Sequence, residues 1–564
     1  MTTPPRNDGD NGNGHGGSGA RSTGDVVSMA RFRAGLARSP AAARVDALLS
    51  ARDPAAAVAA LSVPELFGLI KEVGLADTAE LVALATPEQL RGCFDLDIWD
   101  RDRLVDEAIR PWLTTLLDAG GYEKLGQVWE ALDPELTALL LARWTRIYDH
   151  TLDEAPPDDT ERPLYRTPDT FFTVEILAED DADVRLVLRL IDDLYRADMA
   201  LARHTLMAAR SELPAELEEM SYRWRSGRMA DLGYVDFYDA LEVFRPLEPT
   251  SIRLDEGTAD VIPPPAEGDE ALVPRRLPAP LADALDGAPF LARAVDALAD
   301  PADLERLEAA MVVLVNKVLS ASRVSPGDLD AAIAGARCAA ATVSLGLETV
   351  AGGDVDRAAR ALAQVSLTRL HRAGFTVTLR LARLARALAP RAAAADDDDR
   401  ALLGALLAAR PWLPDGDGGL RPIASVADVR AAAGALARLA LRIAIAEQAL
   451  GVDLVALAEA PADRRPALDD FVRTALARAL AGGEIDPTPL DVAEIPRDFD
   501  PDARARARAA LVRRLDETGV TAGREYLDAL VDSWLGQLHD LLGGVEWPPD
   551  PRFVTGILLR TAQS

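Results

Sequence analysis

The sequence predicts a mainly α-helical protein: a stacked array of short helices, a small α+β middle module, then a C-terminal helical region. Three observations carry this prediction. Proline recurs at Pro64, Pro87, Pro111 and Pro134, spaced 23, 24 and 23 residues apart, and an apolar helical pattern follows each one. Alanine, the residue of highest helix propensity, is abundant, while β-branched runs are scarce. Aromatic residues make up only 5% of the chain, and they cluster in its first half.

Residues 1–27 are rich in Gly, Asn and Asp and hold no apolar core, so they read as a disordered tail without a secretory leader. The array follows over residues 28–152. Proline suits a first helical turn because its missing N–H has no intrahelical partner there. Ser62 with Glu65, and Thr86 with Gln89, have capping-box spacing. Asp133 offers Pro134 a carboxylate cap, whereas Arg110 is a poor cap for Pro111. Aligned on the prolines, Leu66, Leu90, Leu113 and Leu136 share a face with Ile70, Cys93, Leu117 and Leu140. Shorter apolar patterns (Leu81, Val82 and Leu84; Leu125, Val128, Trp129 and Leu132) fill the intervals. A pair of short helices cannot bury its apolar face alone, so neighbours must stack. Residues 50–150 resemble the cytoplasmic N-terminal domain of MgtE-type magnesium transporters. In that family the domain senses magnesium beside a channel; this chain shows no channel.

The middle module, residues 153–250, carries a strand candidate at residues 171–177 and a helix over 184–210 with Val187, Leu190, Ile191, Leu194, Leu201 and Leu206 on its buried side. Pro214 opens the next helix, in which Glu219 and Arg223 form an i,i+4 pair and Met220 and Trp224 share a face. Gly227 and Gly233 interrupt it, and a short helix resumes over 236–243. Six aromatics fall between Tyr222 and Phe244: Tyr222, Trp224, Tyr234, Phe237, Tyr238 and Phe244. With Glu218, Glu219, Arg223, Trp224, Arg225, Arg228, Asp231 and Tyr234 they compose the candidate ligand-binding set, in which arginines could clamp a carboxylate or phosphate. The same residues also read as a small aromatic core stapled by ion pairs, which needs partial burial to matter.

Residues 251–280 are Pro-rich and read as a linker. Residues 281–564 form the C-terminal helical region, interrupted by the acidic run 396–399, the Gly- and Pro-rich stretch 411–422 and the stretch 482–501. Gly352, Gly353 and Asp354 read as a helix C-cap followed by an N-cap, because the Lys and hydroxyl of a phosphate loop are missing.

The formal net charge is −30. Such a field repels phosphate backbones and anionic membrane surfaces, and no apolar stretch is long and uninterrupted enough to span a bilayer. The basic set Arg504, Arg506, Arg508, Arg513 and Arg514 reads as a solvated helix face. Cys93 and Cys338 read as buried small residues. The histidines are scattered, no metal-ligand spacing occurs, and no nucleophile–base pattern is present.

One set of segments carries a wider resemblance. The stretches 213–219 (Leu213, Pro214, Ala215, Glu216, Leu217, Glu218, Glu219), 223–234 (opening Arg223, Trp224, Arg225) and 240–247 resemble a bacterial family of uncharacterised proteins, domain of unknown function 6178. Residues 85–89, the run Asp97, Ile98, Trp99 and the run Asn316, Lys317, Val318, Leu319 do so too. The resemblance spans most of residues 45–480, and this chain departs from the family in being unusually rich in Ala and Asp. It implies no catalytic residues. Together these readings predict a cytoplasmic, non-enzymatic interaction scaffold with a protein partner, no cofactor, no nucleic acid and no membrane insertion. Two alternatives are a regulatory sensor and an enzyme. The sensor would take a small anion (Arg223, Arg225, Arg228) or a divalent cation (the 396–399 run). The enzyme would use Glu218 or Glu219 in acid–base chemistry.

Overall fold

Capping side chains start two of the N-terminal helices where the sequence predicts, at Ser62 and Thr86, whereas Pro134–Trp144 starts at its proline without a side-chain cap bond from Asp133. In the computed structural model, Ser62 caps the Val63–Val73 helix: its hydroxyl accepts from the Glu65 N–H, and Glu65 accepts from the Ser62 N–H at 2.9 Å. Thr86 and Gln89 form the second reciprocal cap, at 2.9 and 3.2 Å. The buried Gln89 amide also donates to the Val58 and Leu61 carbonyls, at 2.9 and 2.7 Å, tying this cap to the end of the Pro54–Ala59 helix.

The structure describes residues 40–254, 287–298, 300–461, 465–496, 499–542, 550 and 554–560. The expected tail 1–27, and all but the first residues of the expected linker 251–280, lie outside them. The chain forms two compact units. One comprises Met1–Phe94 with Val105–Glu218, the other Asp95–Leu104 with Glu219–Ser564.

In the first unit, all eight residues aligned on the prolines are buried: Leu66, Leu90, Leu113 and Leu136, then Ile70, Cys93, Leu117 and Leu140. Pro111 departs from the expectation that each proline opens a helix. It lies in the second turn of Asp106–Ala131, which starts five residues earlier under Asp106 and Glu107, acidic residues suited to an N-terminus. The break comes instead at Gly121, whose φ of 68° lets the chain turn between two helical halves. Ala79–Leu84 packs on this kinked helix, which packs in turn on Asp181–Ala197.

The strand candidate is central to a three-stranded antiparallel sheet. Phe172–Ile176 pairs with Thr145–Asp149 on one side and Leu164–Arg166 on the other, and every residue of it is buried. Its one acid, Glu175, accepts from the Tyr148 hydroxyl at 2.8 Å and from Thr160 at 3.0 Å, and these bonds hold its carboxyl below the usual range. The helix expected over 184–210 is two helices, Asp181–Ala197 and Met199–Ser211. Asp198 divides them because its carboxylate caps the second one, accepting from Ala200 and Leu201 at 2.7 and 3.0 Å.

In the second unit, helices hand the core from one region to the next. Leu329–Ala351 and Pro301–Ala321 centre the first region. Leu370 and Ala373 of the Leu367–Leu388 helix belong to it, while Val377, Leu381, Ala385 and Leu388 of the same helix belong to the next. Val426–Ala444 repeats the device, linking that region to the core of Leu468–Leu480, Pro501–Glu517 and Leu527–Leu542. Gly352 is left-handed at φ 67°, and Asp354 caps Val355–Gln364, so the Gly-Gly-Asp sequence is a helix-to-helix turn. A small hairpin, Trp412–Pro414 with Leu420–Pro422, occupies what reads in sequence as a plain break.

The closest backbone approach is reciprocal. A Cβ on Gly346 would lie 2.0 Å from the Leu370 carbonyl oxygen, and one on Gly374 would lie 2.0 Å from that of Thr342. Neither oxygen can yield without moving its helix, so Gly346→Ala or Gly374→Ala separates Leu329–Ala351 from Leu367–Leu388. Urea unfolding should show a loss of about 2–3 kcal/mol for each. Gly404, in a solvent-facing helical position with nothing within 4 Å of its would-be Cβ, is the control: Gly404→Ala should gain up to about 1 kcal/mol.

Candidate functional site

The helix opened by Pro214 runs to Asp231 without a break, so Gly227 lies inside it rather than ending it. Gly233 ends the run at φ 86°, where a Cβ would lie 3.0 Å from the Val313 backbone. Asn316 fixes the same end by donating to the Leu232 carbonyl at 2.5 Å. Asp236 then caps the short helix Phe237–Ala240. Leu217, Ser221, Arg225, Met229 and Leu232 are buried, at helical spacing. An arginine therefore occupies the middle of an inward face.

What receives that arginine is the segment around Asp95. Trp99–Asp100 and Arg103–Leu104 pair as a minimal hairpin, with Arg101 at φ 59° in its turn. Arg225 Nε donates to the Asp95 carbonyl at 2.7 Å, and Nη1 to the Arg101 carbonyl at 3.3 Å. Its guanidinium lies 5.4 Å from the centre of the Trp99 ring, and Tyr222 packs on the same ring at 6.2 Å. One turn on, Arg228 grips the Asp95 carboxylate with both arms of its fork, at 2.6 and 2.9 Å. The Asp95 side chain is 4% exposed. Burial pulls the Arg225 pKa down, and the Asp95 charge opposes that pull. Burial also pushes the Tyr234 hydroxyl up.

The predicted set thus divides. Arg225, Arg228 and Tyr234 converge with Tyr222 near Asp95 and Trp99. Glu219, Arg223, Trp224 and Asp231 are exposed. Glu218 belongs to the first unit, where Arg143 bridges it at 2.7 Å and Asp106 at 2.8 Å. The expected Glu219–Arg223 pair does not form: among the described residues, neither side chain has an ion-pair partner. Both stand in water, where holding two long side chains together gains little. The aromatics disperse as well. Arg323 covers Phe237 at 4.0 Å, and Phe244 packs on Phe375 and His371 at 5.1 and 5.8 Å. Tyr238 is 77% exposed.

Asp95 itself is the residue that sequence reasoning missed, since it lies 130 positions from Arg225. The available signal was local: a polar turn, Asp100 to Arg103, between the buried Trp99 and Leu104.

The acidic run has a cationic partner inside the fold. Asp396 caps the Asp397–Leu407 helix, and its carboxylate converges with those of Asp399 and Asp469 on the buried Arg442. Among the described residues, no group of three or more His, Cys, Asp or Glu is placed to hold a metal ion. Cys93 and Cys338 are both buried, and burial pushes the Cys338 thiol up.

Two expectations follow. Asp95→Ala leaves Arg228 without its buried carboxylate while keeping the carbonyl that Arg225 reaches, and should cost about 3 kcal/mol in urea unfolding, whereas Arg223→Ala should stay within about 0.5 kcal/mol of the parent. Burial beside two other carboxylates raises Asp399 to about 6 despite Arg442. Because this value lies above that of the unfolded chain, ionised Asp399 opposes folding above about pH 6, and that penalty falls away as pH drops from there to the unfolded-chain value. Asp399→Asn should therefore exceed the parent in stability at about pH 7.5 by on the order of 1–3 kcal/mol, with the gap narrowing below about pH 6 and closing only near about pH 4. His371, lowered to about 4 by burial, titrates in both proteins and cancels in the difference.

No curated protein and no solved structure matches this chain. One family model does match, described as a family of unknown function (DUF6178), and it covers residues 21–560. Segments far apart in the sequence, at Asp97 to Trp99, Arg223 to Tyr234 and Asn316 to Leu319, adjoin in the fold through Arg225, Trp99 and Asn316. The chain belongs to this family of unknown function.

Proposed function

We propose that the chain is a non-enzymatic interaction protein, and that the outward face of the Pro214–Asp231 helix contacts a protein partner. Trp224 carries this reading. Trp99, Trp112, Trp129, Trp144 and Trp534 are buried and Trp412 is half-buried, yet Trp224 is 53% exposed. Met220 stands one turn before it at 36% exposure, and Arg223 is exposed beside it. Tryptophan, methionine and arginine are enriched where proteins meet, and a tryptophan left in water forgoes a large burial gain. The inward arginines turn this face to solvent, which is an arrangement a binding surface requires.

A second reading, a sensor of a small oxyanion, draws on unspent donors. Arg225 is nine-tenths buried, and no carboxylate among the described residues lies within ion-pair distance of it. Two of its five N–H groups have acceptors, and the buried Trp99 indole N–H beside it has none. Calorimetric titration with phosphate and sulfate separates the two readings: heat lost in Arg225→Lys supports the sensor, and silence removes it.

For the partner surface, affinity capture with the full chain should enrich a partner that Trp224→Ala loses, through an interface weakened about 30-fold. Tyr122→Ala, an exposed aromatic in the first unit, should retain it. A partner set unchanged by Trp224→Ala would contradict the proposal. Trp144→Ala is unsuitable as a probe, because that ring is buried and its loss perturbs folding.

A further inference from the structure

A second surface differs from the first in its charge. Residues 357–395 contain eight arginines (357, 360, 369, 372, 380, 383, 386 and 391) and no Asp or Glu, although 91 of the 564 residues are acidic and a stretch of this length would ordinarily hold about six. The Leu367–Leu388 helix occupies most of this stretch. Its inward side is filled by Val377, Leu381, Ala382, Ala385 and Leu388. Its other side presents Arg380, Arg383, Leu384 and Ala387, all exposed, at i, i+3, i+4 and i+7, with Arg386 exposed at their flank.

Three physical facts make this stripe unusual. Leu384 is 52% exposed at its centre, with the exposed Arg380 one turn before it and Arg383 and Arg386 adjoining it in sequence. Among the described residues, no carboxylate lies within ion-pair distance of Arg383 or Arg386. Arg380 does pair, with Glu248, but both members are more than half exposed and such a pair exchanges readily. The helix dipole accounts for basic residues in the last turn, where Arg391 also donates to the Ala387 carbonyl at 3.2 Å. Its influence fades beyond that turn and leaves Arg380 and Arg383 unexplained.

We infer that this face docks an acidic amphipathic helix of another protein, with an apolar residue seated on Leu384 and carboxylates reaching Arg383 and Arg386. Ala387 offers no side-chain obstacle to a close helix approach. Charge decides the class of occupant. The stripe spans about two helical turns, roughly 10 Å. It is followed by Asp397 and Asp398, both exposed, on a chain of net charge −30. A short acidic helix fits within those limits, whereas an extended polyanion or an anionic bilayer meets repulsion beyond them. This surface is independent of Trp224, so either proposal can fail alone.

The test is fluorescence anisotropy with the full chain and a labelled amphipathic helical peptide carrying a leucine stripe flanked by glutamates. Binding should weaken about tenfold or more in the Arg383→Glu/Arg386→Glu variant and on raising salt from roughly 50 to 300 mM. Leu384→Ala should weaken it severalfold, and Trp224→Ala should leave it unchanged. The substituted positions are exposed, so the fold should persist, with the melting temperature lowered by no more than about a few degrees through the lost helix-dipole contact of Arg386. No binding, equal binding by the double variant, or tighter binding of a single-stranded oligonucleotide or of phosphatidylserine vesicles than of the peptide would overturn the inference.

Discussion

One buried carboxylate orients the helix that carries the candidate surface. Asp95 receives both arms of Arg228 through its side chain and Arg225 through its carbonyl. Arginines at i and i+3 point the same way on a helix, so this anchorage fixes the rotation of Pro214–Asp231 about its axis. Trp224, next to Arg225 in sequence, is then carried to the outside. A charged anchor defines that rotation more sharply than an apolar face could, because a guanidinium fork tolerates little slippage and leaving it unpaired in the interior is costly. The neighbouring contacts have the same character: Asn316 on the last carbonyl, Gly233 against Val313 and Trp99 beneath Arg225 all hold single positions.

The same logic of polar anchors in an alanine-rich interior recurs. Alanine cores bury little area per residue, so helices must come close to gain contact. Gly346 and Gly374 are the extreme of that approach, with each backbone lying against the other. Where helices cannot come so close, buried charge assists, as Arg442 does by gathering Asp396, Asp399 and Asp469 from two other helices. Asp399 then holds its proton to higher pH than an ordinary carboxyl, a consequence of placing more acid than base in one buried cluster.

Local physics was legible in the sequence; distant pairing was not. The caps at Ser62 and Thr86, the strand at Phe172–Ile176, the Gly352 turn and the helix from Pro214 were all readable, because each depends on residues a few positions apart. Pro111 misled because a proline in a second turn looks in sequence like one in a first. Asp198 was hidden inside a continuous apolar periodicity. In the candidate set the eight residues lay within the 17 positions 218–234, but a helix distributes near neighbours around its whole circumference. Choosing the inward ones required Asp95, and nothing local marks its partnership with residues 130 and more positions away.

The candidate surface depends on the two-sidedness of one helix, and hydroxyl-radical footprinting of the intact chain examines that property directly. Trp224 and Met220 should oxidise rapidly while Trp99 and Met229, facing the Asp95 side, remain protected until the chain unfolds. Protection of Trp224 in the purified protein, or oxidation of Trp99 at a comparable rate, would contradict it.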